Sequence, residues 1–227
     1  MLAVYDFAVT QLRYVMAAMV EVPAFRPDGA SVADVEAMLD GAEPIGTAYV
    51  SARMNLGFAQ TGRRLAFEVL NDACVDFFSQ AGNAFRKDAA VMEQLGALPV
   101  NARAFPKMLA RADAILAAWA QLPLIGVPPG VFVVAQVDAP LTRVGMLGLR
   151  DAAVAAGGVL TVAEQAFQLH RSALNAKLRE MRDFVVAALR LGRSQFPEGS
   201  VDRGLIDAVP KRRKARREDE EGGGEEG

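Results

Sequence analysis

Apolar residues recur every three or four positions through most of the chain, which is the spacing of amphipathic α-helices. The pattern predicts a first helix over residues 3–21. A short helix is predicted from Ser31 to Gly41, because Ser31 and Asp34 have the spacing of a capping box and glycine commonly ends a helix. A long helix, or two helices in line, is predicted over residues 47–95, although Gly57 and Gly62 weaken the pattern in its first part.

The second half of the chain continues the helical pattern with one exception. A helix is predicted over 106–121, with Pro106 in its first turn, and another over 141–156. Thr161 and Glu164 again have capping-box spacing, so a separate helix of about 30 residues is predicted from Thr161 to Gly192. The run "VFVVAQV" at 131–137 is the one β-like stretch. A lone strand cannot satisfy its backbone, so this run either pairs in an oligomer or is irregular or helical.

These elements predict an all-α fold. Long amphipathic helices are not stable alone in water, so each must bury its apolar stripe on another helix. We expect an antiparallel helical bundle or a long helical hairpin with short accessory helices, although the long helices could also pair across subunits. Residues 1–209 are expected to form a single helical domain. Its flexible breaks are predicted near 23–30, 41–46, 123–130 and 193–200, and a disordered charged tail is predicted at 210–227.

Several large apolar side chains are candidates for a core or for a seam between subunits. At helical spacing such a set indicates a core more often than a ligand pocket. Phe77 and Phe78 are adjacent and must point in different directions, so part of the set is expected to contact another copy of the chain. The predicted seam residues are Phe77, Phe78, Phe85, Phe167, Met181 and Phe184.

Composition changes this prediction little. The chain has 227 residues, of which 52% are hydrophobic and 23% charged, with a net charge of −2. These values are typical of globular proteins rather than of disordered chains. The first residues carry Asp6 and Arg13 inside an apolar stretch, unlike a signal peptide, so a cytoplasmic protein is expected. A nuclear location is considered only for a eukaryotic source, because the basic run near the end matches a nuclear-import signal.

An uncharged stretch at 114–137 has the length of a membrane span. Pro123 and "PPG" at 128–130 interrupt it, and a broken backbone at membrane depth needs shielding by other protein. Burial of this stretch inside the protein is therefore favoured over insertion into lipid.

Few residues suggest chemistry. The chain has one histidine, His170, and one cysteine, Cys74, so an intramolecular disulfide and the usual His/Cys metal centres are excluded. The segment "GFAQTGRR" at 57–64 resembles a phosphate-binding loop only superficially, because Arg63 and Arg64 stand where lysine and a hydroxyl are required. Pairing of Cys74 with His170 across two helices is an alternative to two separate core residues. We expect no enzyme activity, no cofactor and no metal, and no small-molecule substrate is identified.

The chain ends in "KRRKARREDEEGGGEEG", which carries six basic and then six acidic residues. A contact with polyanions is predicted at Lys211, Arg212, Arg213, Lys214, Arg216 and Arg217. Binding there would depend on salt and would be non-specific, because no aromatic residues are interleaved for base stacking. The acidic run directly after it would repel phosphates.

The sequence therefore favours a non-enzymatic structural or protein-interaction protein that self-associates through amphipathic helix faces. The expected partner is a second copy or another protein. The alternative is a nucleic-acid-associated accessory protein that uses residues 211–217 as a non-specific anchor. Membrane association is not favoured.

Overall fold

The computed structural model describes residues 2–99, 104–122, 132–136 and 140–211. Within these ranges the regular structure consists of α-helices and one 3-10 turn, so the all-α class is confirmed. The helices are α1 (Leu2–Glu21), α2 (Val32–Ala84), α3 (Ala89–Gly96), α4 (Phe105–Gln121), α5 (Arg143–Gln195) and α6 (Val201–Asp207). The 3-10 turn spans Pro27–Gly29 between α1 and α2.

The helix α2 is continuous over 53 residues, so the break predicted near 41–46 is wrong. Pro44 lies inside the helix, where its ring removes a single backbone hydrogen bond. The glycine at 46 packs against the ring of Tyr5, and a Cβ there would lie 3.0 Å from the ring. Close packing, rather than helix termination, therefore explains a glycine at this position.

The capping residues gave one correct and one wrong prediction. At the start of α2, the Ser31 N–H donates to Asp34 Oδ2 at 2.7 Å, and the Asp34 N–H donates to Ser31 Oγ at 3.2 Å. This is the predicted capping box. The Thr161 hydroxyl instead donates to the Gly157 carbonyl at 3.2 Å, inside a continuous α5 of 53 residues. A helix interior has no free amides to cap, so the predicted helix start at Thr161 is wrong.

Residues 47–95 are predicted to form one long helix or two helices in line, and the structure has two helices in this range. The helix α2 ends at Ala84, and Asp88 starts a separate helix α3. The Asp88 carboxylate accepts the N–H groups of Ala90 and Val91 at 3.1 Å each, which satisfies two amides of the first turn of α3.

The chain folds into two compact units, whose boundaries lie inside α2 and α5. The terminal unit contains the residues up to Ala48 together with those from Arg171 onwards. The central unit contains Tyr49–His170.

In the terminal unit, α6 packs on α1 and on the last turns of α5. Ile206 of α6 is buried, and a Cβ on Gly192 of α5 would lie 2.9 Å from Ile206 Cγ2. The Arg203 guanidinium donates to Asp207 Oδ2 at 2.8 Å and to the Arg193 carbonyl at 2.7 Å. The glycine therefore makes room for α6, and polar contacts hold it at the end of α5.

In the central unit, α4 runs in the direction of α2 and opposite to α5. Aromatic contacts join Phe67 to Phe105 and Phe77 to Trp119, so residue numbers rise together in α2 and α4. Residue numbers in α5 fall in that same direction. Phe105 at the start of α4 lies against Gly157, whereas Asp113, further along α4, pairs with Arg150 at 2.9 Å. The two long helices are therefore antiparallel within this unit.

The β-like run is irregular where the structure describes it, at 132–136. Val134 forms one antiparallel bridge with Leu141, with N–O distances of 2.9 and 2.7 Å. The Gln80 side chain then makes two hydrogen bonds to the backbone of Ala135, at 2.8 and 2.7 Å. A side-chain amide thus replaces a neighbouring strand. The described parts of the uncharged stretch, 114–122 and 132–136, contribute Ile115, Leu116, Trp119 and Val134 to the central core, and 123–131 and 137 lie outside the described residues.

We expect Gly192→Ala to lower the free energy of unfolding by about 1–3 kcal/mol, because the added methyl overpacks the Ile206 contact. Chemical denaturation monitored by circular dichroism measures this change. The matched control is Gly82→Ala, because Gly82 also lies in a long helix but has nothing within 4 Å of a Cβ. It should gain up to about 1 kcal/mol from helix propensity. Equal effects of the two variants would contradict the role assigned to Gly192.

Candidate functional site

Among the described residues, a stretch of the central unit consists of two helices. We call it the two-helix segment: residues 49–69 of α2 and 155–170 of α5. Tyr49 packs on Phe167 at its start, with ring centroids 5.6 Å apart. At its other end Phe105, the first residue of α4, contacts Phe67 and Gly157.

The seam between the two helices is narrow. Its buried α2 residues are Tyr49, Ala52 and Ala59, and its buried α5 residue is Leu160. With the half-buried Leu56, the α2 positions follow each other by three, four and three residues, which is the spacing of a coiled-coil seam. On the α5 side the half-buried Ala156, Ala163 and Phe167 complete the seam. Four of these eight side chains are alanines, so the seam removes little apolar surface from water.

Large apolar side chains are exposed on one side of the segment. Each has between 50% and 70% of its surface accessible to solvent. The set comprises Met54, Phe58, Leu65, Val69, Val159, Val162 and Leu169. At 3.6 residues per turn, each of these positions is rotated roughly 70–170° away from the seam around the axis of its own helix. The direction of this rotation is the same in both helices. Because the helices are antiparallel, both sets lie on the same side of the pair.

This side has no charged residue between residues 51 and 67 of α2 or between 155 and 169 of α5. We call it the uncharged face. Its remaining positions are small or neutral: Ser51, Asn55, Thr61, Gly62, Ala155, Gly158 and Ala166. Glu68, seven residues after Thr61, lies at the edge of this face and pairs with Arg64. The opposite side carries Arg53, Arg64 and Glu164, and Arg64 pairs with Glu68 at 2.9 Å. The two sides of one helix pair therefore differ sharply in polarity.

Two glycines make the uncharged face flat. A Cβ on Gly62 or Gly158 would meet no atom within 4 Å, whereas a Cβ on Gly157 would lie 3.2 Å from the Phe105 ring. A glycine inside a helix costs roughly 0.5–1 kcal/mol relative to alanine. Packing within the chain explains Gly157 but gives no reason for Gly62 or Gly158.

The structure does not bring the predicted seam residues together on one surface. Phe77 and Phe85 are buried in the core of the central unit, with Phe78 half-buried beside them. Phe167 is half-buried against Tyr49. Met181 is buried and Phe184 half-buried in the terminal unit. These residues mainly fill the interior of their own units.

The sequence interpretation missed the uncharged face. A signal for it was present, because Phe58 and Leu65 are seven residues apart, as are Ala155, Val162 and Leu169. This second apolar stripe has the same helical period as the buried one but is rotated away from it.

Of the predicted polyanion contact, the described residues include only Lys211, which is exposed. Arg212, Arg213, Lys214, Arg216 and Arg217 lie outside the described residues, as does the rest of the predicted tail.

The pairing of Cys74 with His170 is not formed. The contact between Tyr49 and Phe167 places His170 beside the first turns of the two-helix segment. Cys74 lies 25 residues beyond Tyr49 on the same helix, which corresponds to about 37 Å at 1.5 Å per residue. Cys74 is fully buried, and burial raises the pKa of its thiol to about 11. The positive charge of Arg111 opposes this rise but is the smaller effect.

Arg111 is the buried charged residue of the described chain, at 4% exposure. Its guanidinium stacks 5.0 Å from the centre of the Phe78 ring and donates a long hydrogen bond of 3.4 Å to Asn71 Oδ1. Its Nε has no hydrogen-bond partner among the described residues. The cation is therefore held by an aromatic face and an amide rather than by a carboxylate.

Other chemistry has little support within the described ranges. In the parts of the chain that the structure describes, no group of three or more His, Cys, Asp or Glu residues is placed to hold a metal ion. Residues 57–64 lie inside α2, where backbone amides are used by the helix rather than offered to a phosphate. The helix α5 is long and apolar enough to cross a membrane, with a window of mean hydropathy 1.4 that is only 22% buried. The core helix of a soluble protein can pass the same test.

No protein-family model, curated protein or solved structure matches the chain.

We expect the Cys74 thiol to react very slowly with a thiol reagent in the native protein at pH 8, and to react fully in denaturant. Its folded pKa of about 11 lies above the ordinary value of 9.0, so the protonated thiol is the favoured form. The contribution of the protonated Cys74 thiol to the free energy of unfolding is complete below pH 9. It is lost as the pH rises from 9 towards 11, because the thiol of the unfolded chain ionises at lower pH than that of the folded chain. The control Cys74→Ala should lack this part of the alkaline loss. Rapid native labelling would contradict the burial of Cys74.

Proposed function

We propose that this chain is a non-enzymatic structural or interaction protein that self-associates through the faces of its long helices. The observation that carries the proposal is the uncharged face. Scattered exposed apolar residues are normal on protein surfaces, but a contiguous apolar patch is typical of an interaction site. Seven large side chains share this face, and the charged residue nearest to them, Glu68, lies at its edge and pairs with Arg64.

The narrow seam supports the same proposal. Half of its eight side chains are alanines, and the large residues are Tyr49, Leu56, Leu160 and Phe167. Helices gain most of their stability in proteins by burying an apolar face. A second layer on the uncharged face would bury seven further large apolar side chains, so association would stabilise a weak part of the unit.

The clefts of the described chain favour interaction over catalysis. A cleft of about 160 Å³ in the terminal unit lies between α1 and α5 and has Gln11 and Arg182 as its only polar lining residues. A groove on the polar side of the two-helix segment has Gln60, Glu164, Gln165 and Gln168 beside Leu56 and Phe167. Neither combines a nucleophile with a base, as most hydrolytic and transfer chemistry requires.

We expect light scattering after size-exclusion chromatography to give a mass that is a multiple of the 24.2 kDa chain and falls on dilution. Hydrophobic association should persist in high salt, because salt screens charges but does not weaken apolar burial. A monodisperse monomer at tens of micromolar would contradict the proposal.

The same experiment on residues 1–209 tests the charged tail. Self-association should be unchanged by this truncation, because the uncharged face lies at 51–69 and 155–169. Nucleic acid that co-purifies with the full chain and is lost on truncation, seen as excess absorbance at 260 nm, would favour the anchor at residues 211–217 instead.

A further inference from the structure

We propose that the partner of the uncharged face is the same face of a second copy. Two α2/α5 pairs would then form a four-helix bundle about a two-fold axis. This inference rests on the proposed self-association and adds its surface, its stoichiometry and its orientation.

The shape of the segment supports a helical partner. Two antiparallel helices with an apolar outer side form half of a four-helix bundle, which needs a second helix pair to enclose its core. The seven-residue spacing from Phe58 to Leu65, and from Ala155 through Val162 to Leu169, is the repeat with which helices pack along each other. Gly62 and Gly158 leave open space at this side, so a neighbouring helix can approach the backbone closely.

The size of the face is sufficient for a dimer. Residues 51–69 of α2 extend about 27 Å at 1.5 Å per residue. Two packed helices present a width of about 20 Å, so each copy offers roughly 550 Å² and a dimer covers roughly 1,100 Å² in total. Specific interfaces start at about 1,000 Å² in total. A symmetric pair of these faces reaches that range without any further contact.

Charge favours a second copy over a lipid surface. Helices that lie on membranes carry Lys or Arg beside their apolar side and bind anionic lipids. The uncharged face is instead bordered at one end by Asp72 and Asp76, and the nearby Asp151 is paired with Arg150. Anionic lipid headgroups would be repelled there.

The same acidic border predicts the orientation of the two copies. If the copies ran parallel, their acidic ends would face each other across the interface. A two-fold axis perpendicular to the helices places the two acidic ends at opposite ends of the bundle. In that arrangement α2 of one copy packs antiparallel on α2 of the other, and Gly62 lies near the axis.

The first test places a charge in the face. Val162→Glu should weaken self-association at least about 10-fold, because it buries unpaired carboxylates at the interface. The control is Thr161→Glu, which introduces the same side chain at the neighbouring exposed position, turned away from the face. It should leave the association constant within about 2-fold, as measured by sedimentation equilibrium. Circular dichroism checks that both variants keep the helical content of the wild type.

The second test measures proximity without adding charge. Gly62→Cys should form a disulfide-linked dimer under mild oxidation, because residues near a two-fold axis bring their Cα atoms within about 7 Å. Gly57→Cys is the control, since Gly57 is equally open in the same helix but lies on the other side. The native Cys74 is buried and does not compete.

The outcomes separate this inference from the proposed function. A wild-type monomer that sediments with anionic vesicles would overturn both in favour of lipid, and a monomer that does not bind vesicles would overturn both outright. A wild-type oligomer that survives Val162→Glu, with no Gly62→Cys cross-link, would overturn this interface and leave self-association standing. Loss of association in Val162→Glu alone, together with a Gly62→Cys cross-link, supports the inference.

Discussion

The narrow seam between α2 and α5 is the constraint on which the central unit depends. Over residues 49–65 of α2, the contact between the two helices consists of Tyr49, Leu56, Leu160, Phe167 and four alanines. Such a seam removes little apolar surface from water, and long helices are not stable without more burial. The central unit buries the apolar surface of its long helices in one part and leaves it exposed in another. Beyond Phe67, α4 covers one side of the pair, whereas the two-helix segment leaves its apolar side in solvent.

Where α4 covers the long helices, polar groups are satisfied by unusual partners. The Arg111 guanidinium lies on the Phe78 ring, and the Trp119 indole N–H donates to the Phe132 carbonyl at 3.0 Å. The Gln80 side chain takes the place of a strand beside Ala135. This part of the unit closes its own core within one chain, which is why the proposed interface belongs to the other part.

The sequence predicted helix positions well and helix junctions poorly. Periodic apolar residues and the Ser31–Asp34 box located α1 and the start of α2, because those signals are local. The breaks predicted after Gly41 and before Thr161 do not occur, because both long helices continue through them, and Gly46 packs on Tyr5. The candidate site was missed because each long helix has two apolar stripes with the same period. The period alone does not tell which of the two a neighbouring helix covers.

The central claim is that the uncharged face lies between two copies of the chain. Hydrogen–deuterium exchange at high and low protein concentration tests it most directly, because association protects the amides of helices that it stabilises. The account predicts that protection of residues 51–65 and 155–169 rises with concentration, while the core around Phe77 stays unchanged. Protection that is independent of concentration, or that changes only elsewhere in the chain, would contradict the account.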